Sequence, residues 1–140
     1  STRKESSAAS DVYKRQVYIY PKDNTSGCTI EADGFSEIYD EFQKLNTEVV
    51  GISKDTEKTH ENFRKKQGLK QELISDPERI FLNNFGCVYK GKMFGKEVTK
   101  TERSTFVFDK DMNLVKEFRK VKPDENPQEV LDFVRDNLND

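Results

Sequence analysis

The pattern of apolar segments predicts an α/β domain, a mixed central sheet with helices on both faces. Three observations lead there. Strand-like runs at residues 17–20 and 48–52 alternate with stretches of helical period, the arrangement that builds parallel β-α-β units. Two later strand patterns, 104–108 and 114–121, are separated only by Asp109-Lys110-Asp111-Met112-Asn113, which makes an antiparallel hairpin. A chain of 140 residues with no internal repeat and no dividing linker suits one core.

Taken in order, Val17-Tyr18-Ile19-Tyr20 is a short buried strand ended by Pro21, and residues 21–27 are rich in turn formers. From residue 28 to 45, Ile30, Phe35, Ile38, Tyr39, Phe42 and Leu45 share one helical face, and Asn46 stops the helix. After the strand at 48–52, a polar helix covers about 56–67, with Gly68 placed to cap its end. Leu73-Ile74 forms a short third strand. Asp76-Pro77 opens another helix with proline in its first turn; Ile80, Phe81, Leu82 and Phe85 give it an apolar side, and Gly86 stops it. Residues 88–101 are basic and contain glycine, which predicts a loop or irregular hairpin. Beyond the hairpin strands, Asn126-Pro127 caps a last helix carrying Val130, Leu131, Val134 and Leu138 on one face.

Composition removes several function classes. The net charge is −2, with basic and acidic residues interspersed, so nothing favours nucleic acid. The longest apolar runs cover only a few residues, too short to span a membrane. The first ten residues lack the apolar core of a secretory signal. Two cysteines, far apart and without a repeated spacing, predict free thiols in a reducing compartment, which points to the cytoplasm.

Residues 1–16 do not read as the start of a domain, because they are polar and have no sustained period. The stretch from Ser6 to Gln16 resembles the translation of a transposon adaptor used in sequencing libraries. The expectation is therefore a non-native or disordered segment at 1–16 and a domain over 17–140 that has lost its opening strands.

The chemistry is concentrated in Pro21-Lys22-Asp23-Asn24-Thr25-Ser26-Gly27-Cys28-Thr29. This segment sets a cysteine in the first turn of a helix, directly after an apolar strand. Unpaired amides and the helix dipole favour negative charge there, and so favour the thiolate. The plain alternative is a small buried cysteine that fills the junction between strand and helix.

Pro21, Thr25 and Cys28 match the pattern P-x-x-x-T-x-x-C, with Gly27 and Thr29 completing G-C-T. Tyr18 to Pro21 resemble Y-F-Y-P, Val49 to Ser53 resemble V-x-G-V-S, and Leu73 to Pro77 resemble L-L-S-D-P. Phe85-Gly86 followed by Lys92-Met93-Phe94-Gly95-Lys96 resembles Y-G…K-x-Y-G-K, and Glu102-Arg103-Ser104-Thr105-Phe106 matches E-R-S-T-F. In this order the segments resemble the peroxiredoxins, in their bacterioferritin-comigratory or Q-type branch.

The resemblance implies a thioredoxin-like fold and a thiol-dependent peroxidase that reduces hydrogen peroxide and organic hydroperoxides. It makes Cys28 the peroxidatic nucleophile, which passes through a sulfenic acid. Thr25 would bring its hydroxyl to the sulfur and the peroxide. Arg103 would supply fixed positive charge, Pro21 would shield the sulfur, and Glu31 would support this arrangement. Taken singly, Arg103 reads as a surface ion-pair partner and Glu31 as a first-turn acid. Cofactors and metals are not implied: His60 is the only histidine and no C-x-x-C exists. The implied reductant is thioredoxin or a low-molecular-weight thiol, and the implied assembly is a monomer or small homo-oligomer.

Two departures stand out. Ser26 replaces a common proline, a minor change within the turn. Asp33 occupies the position, five after Cys28, where many of these relatives carry a resolving cysteine, so the usual local disulfide cannot form. Cys87 is the one other thiol, either a structural residue near a helix end or a substitute resolving cysteine. A one-cysteine cycle completed by an external thiol is the expectation. The reading from a different class is a thiol redox sensor or interaction module on the same fold.

Overall fold

The computed structural model describes residues 14–138. Its elements run β1 (Lys14–Ile19), α1 (Ser26–Glu37), α2 (Tyr39–Lys44), β2 (Thr47–Ser53), α3 (Glu57–Gln67), β3 (Glu72–Ser75), α4 (Ile80–Asn84), β4 (Val88–Met93), β5 (Lys96–Thr101), β6 (Ser104–Phe108), β7 (Leu114–Phe118) and α5 (Asn126–Asn137). The main sheet has the order β3-β2-β1-β6-β7. β1, β2 and β3 are parallel, β6 is antiparallel to β1, and β7 is antiparallel to β6. A mixed sheet follows directly from two crossovers and one terminal hairpin.

β1 is central and buried on both faces. Successive strand residues point to opposite sides, so Tyr18 and Tyr20 enter one core cluster and Val17 and Ile19 another. The first cluster packs Tyr18, Tyr20, Phe35, Phe42 and Val107 against Val130, Leu131 and Val134 of α5. The second joins Ile19, Ile52 and Phe106 to Leu82 of α4 and to Cys87. Tyr18 sits across from Gly51 of β2, where any Cβ would lie 2.7 Å from the tyrosine ring. Glycine is needed at that point for the ring to fit.

Several boundaries differ from the sequence reading. The helix expected over 28–45 is broken at Ile38, which leaves helical geometry (φ −106°, ψ 15°) between α1 and α2. Apolar spacing carries on across the break, so periodicity could not reveal it. Pro77 lies in a turn rather than in a helix. Arg79 adopts a left-handed conformation (φ 59°), and the Asp76 carboxylate accepts from the Ile80 and Leu82 amides to start α4. β4 and β5 form a regular hairpin, not a loop, with Phe94 and Gly95 both at positive φ in its tight turn. β7 ends at Phe118, short of the expected 121.

The first strand also begins earlier than its apolar run. Lys14, Arg15 and Gln16 pair with β2, and Arg15 and Gln16 also with β6, because ladder hydrogen bonds need only backbone. The adaptor-like stretch otherwise lies outside the described residues. Gln16 carries a visible penalty: it is fully buried, and neither side-chain amide atom has a hydrogen-bond partner among the described residues. An unpaired buried polar group costs about 1–3 kcal/mol. Gln16→Val is therefore expected to raise unfolding free energy by about that amount, read from the midpoint of a urea transition at unchanged slope. An unchanged or lowered midpoint would refute the assignment of Gln16 as an unfavourable core residue.

Candidate active site

α1 begins where β1 leaves the sheet centre. Thr25 is its N-cap in extended geometry (φ −91°, ψ 156°), and Cys28 is the third helical residue. The first amides of a helix have no intrahelical acceptors, so the Cys28 sulfur stands in a field that favours an anion. Cys28 is buried, at 1% exposure.

Arg103, in the link between β5 and β6, reaches this sulfur from 75 residues away. Its Nη2 donates to Cys28 Sγ at 3.4 Å, and its Nη1 donates to Glu31 Oε1 at 2.9 Å. One guanidinium thus bridges a thiol and a carboxyl one helical turn apart, using the fork that lysine lacks. Gly27 makes room for it, since a Cβ there would lie 3.0 Å from Nη2. Burial opposes the charge on Arg103, but Glu31 and Cys28 outweigh that and raise its pKa.

Glu31 is fully buried. Burial pushes its pKa up to about 7 despite the opposing pull of Arg103. Its Oε2 has no hydrogen-bond partner among the described residues.

The remaining predicted residues are placed as follows. Pro21 and Arg103 line a cavity of about 630 Å³ together with Tyr89, Lys120 and Val121. Thr25 is close in sequence, yet its hydroxyl donates to the Lys22 carbonyl at 2.8 Å and makes no recorded bond to Cys28. Cys87 is not brought to Cys28 at all. The two cysteines are free and belong to clusters on opposite faces of β1. Burial also pushes the Cys87 thiol pKa up, which makes it a poorer nucleophile.

Sequence reasoning missed Asp23. Its carboxylate accepts from the Tyr20 hydroxyl at 2.6 Å and contacts His60 Nδ1 at 2.6 Å, while its amide donates to Asp55 Oδ2 at 2.9 Å. The turn bearing Pro21 and Thr25 is thereby tied to α3 and to the end of β2. An aspartate among turn formers looks ordinary in sequence, and its partner histidine is 37 residues away. Asp23, Asp55 and His60 bring metal-ligand atom types within 4.8 Å of one another. These atoms are already engaged: His60 Nε2 lies 3.1 Å from the Ile74 carbonyl, and Asp55 Oδ2 accepts from Ser53 at 2.6 Å. The arrangement reads as a hydrogen-bonded brace. Among the described residues, no helix is long and apolar enough to cross a membrane.

Comparison with known proteins identifies the family and the fold. The AhpC/TSA family pattern matches residues 5–117. Peroxiredoxin Bcp of Bacillus subtilis is 39% identical over 120 residues, covering 86% of this chain and 76% of that protein. A Helicobacter pylori protein named putative peroxiredoxin bcp is 39% identical over 116 residues, 83% of this chain and 76% of its own length. The bacterioferritin comigratory protein of Xanthomonas campestris superposes with a TM-score of 0.86 at 34% identity, covering 92% of this chain and 82% of that one. Its structures were solved to study alkyl peroxide reduction. Peroxidoxin BcpB of Mycobacterium tuberculosis gives 0.79 at 26% identity over 93% of this chain and 84% of that one. With a cysteine at a helix start, an arginine on its sulfur and a thioredoxin-like sheet beneath, the chain belongs to the AhpC/TSA family, in the Bcp or Q-type branch of the peroxiredoxins, and is a thiol-dependent peroxidase.

Proposed function

We propose that Cys28 is the peroxidatic residue and that Arg103, Thr25 and Pro21 form its reaction pocket. The Nη2 to Sγ contact of 3.4 Å carries this reading, since it puts a permanent cation on the sulfur. The thiolate attacks one oxygen of the hydroperoxide. An S–O bond forms as the O–O bond breaks, the sulfur is oxidised by two electrons to a sulfenic acid, and the departing oxygen leaves as an alkoxide or hydroxide that takes up one proton. Arg103 can follow the charge from sulfur to departing oxygen, the kind of preorganised stabilisation that lowers barriers most. Thr25 donates its own hydrogen to Lys22, so its oxygen lone pairs remain available to accept from the peroxide O–H. Pro21 has no amide hydrogen and closes the pocket without offering a competing donor. The cavity beside Arg103 sets Pro21, Tyr89 and Val121 among Thr101, Glu102 and Lys120, so an organic hydroperoxide approaching Arg103 meets an apolar wall and charged groups together.

The sulfenic acid is resolved from outside. Cys87 lies across the sheet, so an external thiol, from thioredoxin or a small molecule, attacks Cys28 once the first turn of α1 opens. That reaction suits a reducing compartment such as the cytoplasm.

The test is a single turnover with one equivalent of hydrogen peroxide, trapping with dimedone and locating the adduct by mass spectrometry. The adduct is expected on Cys28 in the wild type and equally in Cys87→Ser, with steady-state turnover retained in that variant when thioredoxin or glutathione is supplied. An adduct on Cys87, or a Cys87→Ser chain that cannot be recycled by either thiol, would contradict the proposal.

A further inference from the structure

Cys28, Glu31 and Arg103 form one electrostatic unit with two acids and a single cation. Resting on the assignment of Cys28 as the reacting sulfur, we propose that Glu31 and Cys28 share one negative charge across Arg103, so that Glu31 holds a proton while the thiolate is present and gives it up when the sulfur is oxidised. Glu31 is then the positioning residue that sets the pH range of the reaction.

The geometry carries this. Both acids contact the same guanidinium, one on each Nη, from positions one turn apart on α1. Neither has access to bulk water: Glu31 is fully buried and Cys28 is 1% exposed. Two anions and one cation would leave a net buried charge, which is strongly unfavourable. Glu31 Oε2 has no partner to support a full carboxylate. A carboxyl with a pKa near 7 is suited to hold or lose its proton in the physiological range.

Among the described residues, Arg103 is the cation that acts on Glu31, while Lys120 and Glu102 line the cavity on the far side of Arg103. From β1, Tyr18 is the titratable neighbour, and burial raises its phenol so that it stays neutral. From the β3 side, Gln71 donates to Tyr18 and to the Ala32 carbonyl. α3 presents Phe63 to Ala32, and α5 presents Pro127 to Gly34. Asp33 lies in an outer groove with Glu37, Gln67 and Lys70. His60 faces Asp23 and the Ile74 carbonyl.

The proton count closes. Before attack, the site holds a thiolate, a protonated Glu31 and Arg103. After attack the sulfur is a neutral sulfenic acid, Arg103 has Glu31 alone to pair with, and the carboxyl ionises. The proton it gives up equals the one gained by the departing oxygen, so the thiolate, the protonated carboxyl and the hydroperoxide become sulfenic acid, carboxylate and alcohol or water.

The decisive experiment measures alkylation of Cys28 by iodoacetamide against pH in the wild type and in Glu31→Gln, with thermal melts as a check of folding. The wild type is expected to rise in two steps. Glu31→Gln mimics the protonated acid and should rise in one step displaced to lower pH by about one unit, the size of a lost like-charge neighbour. Superimposable single-step profiles would overturn the coupling. If the variant fails to fold, infrared difference spectra of the wild type decide. A protonated-carboxyl band should disappear when one equivalent of hydrogen peroxide oxidises Cys28, and a band that persists refutes the proposal. Turnover with thioredoxin is read separately. Turnover with a one-step profile removes the coupling and leaves the peroxidase, whereas two steps without turnover support the coupling and reject the peroxidase cycle.

Discussion

Arg103→Gln is expected to slow peroxide reduction by about 10²–10³-fold, the scale seen when one preorganised donor to developing charge is removed. The argument rests on what the guanidinium touches. Nη2 is on the sulfur and Nη1 on a buried carboxyl, and among the described residues no second cation bonds either group. Glutamine keeps a donor but loses the positive charge proposed to stabilise the departing oxygen. Arg103→Lys should recover only part of the rate, because a single ammonium cannot hold both partners at once. Stopped-flow measurement of sulfenic acid formation gives the rate of this step alone. A loss below about tenfold in Arg103→Gln would mean that the helix start, not the arginine, activates Cys28.

Asp23→Ala is expected to lower unfolding free energy by about 3 kcal/mol, the order found when a buried hydrogen-bonded pair loses one member. Asp23 is 3% exposed and serves two partners, Tyr20 and His60, each at 2.6 Å. Removing it takes the shared acceptor from the Tyr20 hydroxyl and His60 Nδ1 and leaves them only each other, 3.4 Å apart, in the core. A domain of this size has little stability in reserve, so the change should be large in a urea titration. The same turn carries Pro21 and Thr25, so activity should fall under conditions where the variant remains folded. A loss under about 1 kcal/mol would show that the brace is hydrated or dispensable.

The sequence revealed more of the candidate site than of its supports. Pro21, Thr25, Cys28 and Glu31 fall within eleven residues, where local spacing is informative, and they occupy the turn and first helical turns as expected. Arg103 was legible only through resemblance, since nothing local says that a residue 75 positions away meets the sulfur. The brace of Tyr20, Asp23 and His60 escaped for the same reason, and because aspartate is common in turns. The break at Ile38 was hidden by apolar spacing that stays in phase across it. The β4–β5 hairpin was hidden by its chemistry: most of its side chains are exposed or half-buried, so the alternation that betrays a strand is missing. Lys14 to Gln16 were missed because a strand can recruit polar residues through its backbone alone.

The sheet that keeps Cys28 and Cys87 apart has a chemical consequence. On the proposed assignment of Cys28, its sulfenic acid has no thiol on its own side of the sheet and would wait for a reductant, and during that wait a second peroxide would carry it to the irreversible sulfinic acid. Each cycle would then be a contest between two diffusing molecules, one that restores the sulfur and one that spoils it. On that assignment, the working life of this protein would be governed by the ratio of thiol to peroxide around it, and an excess of its own substrate would act as a timer that ends its activity.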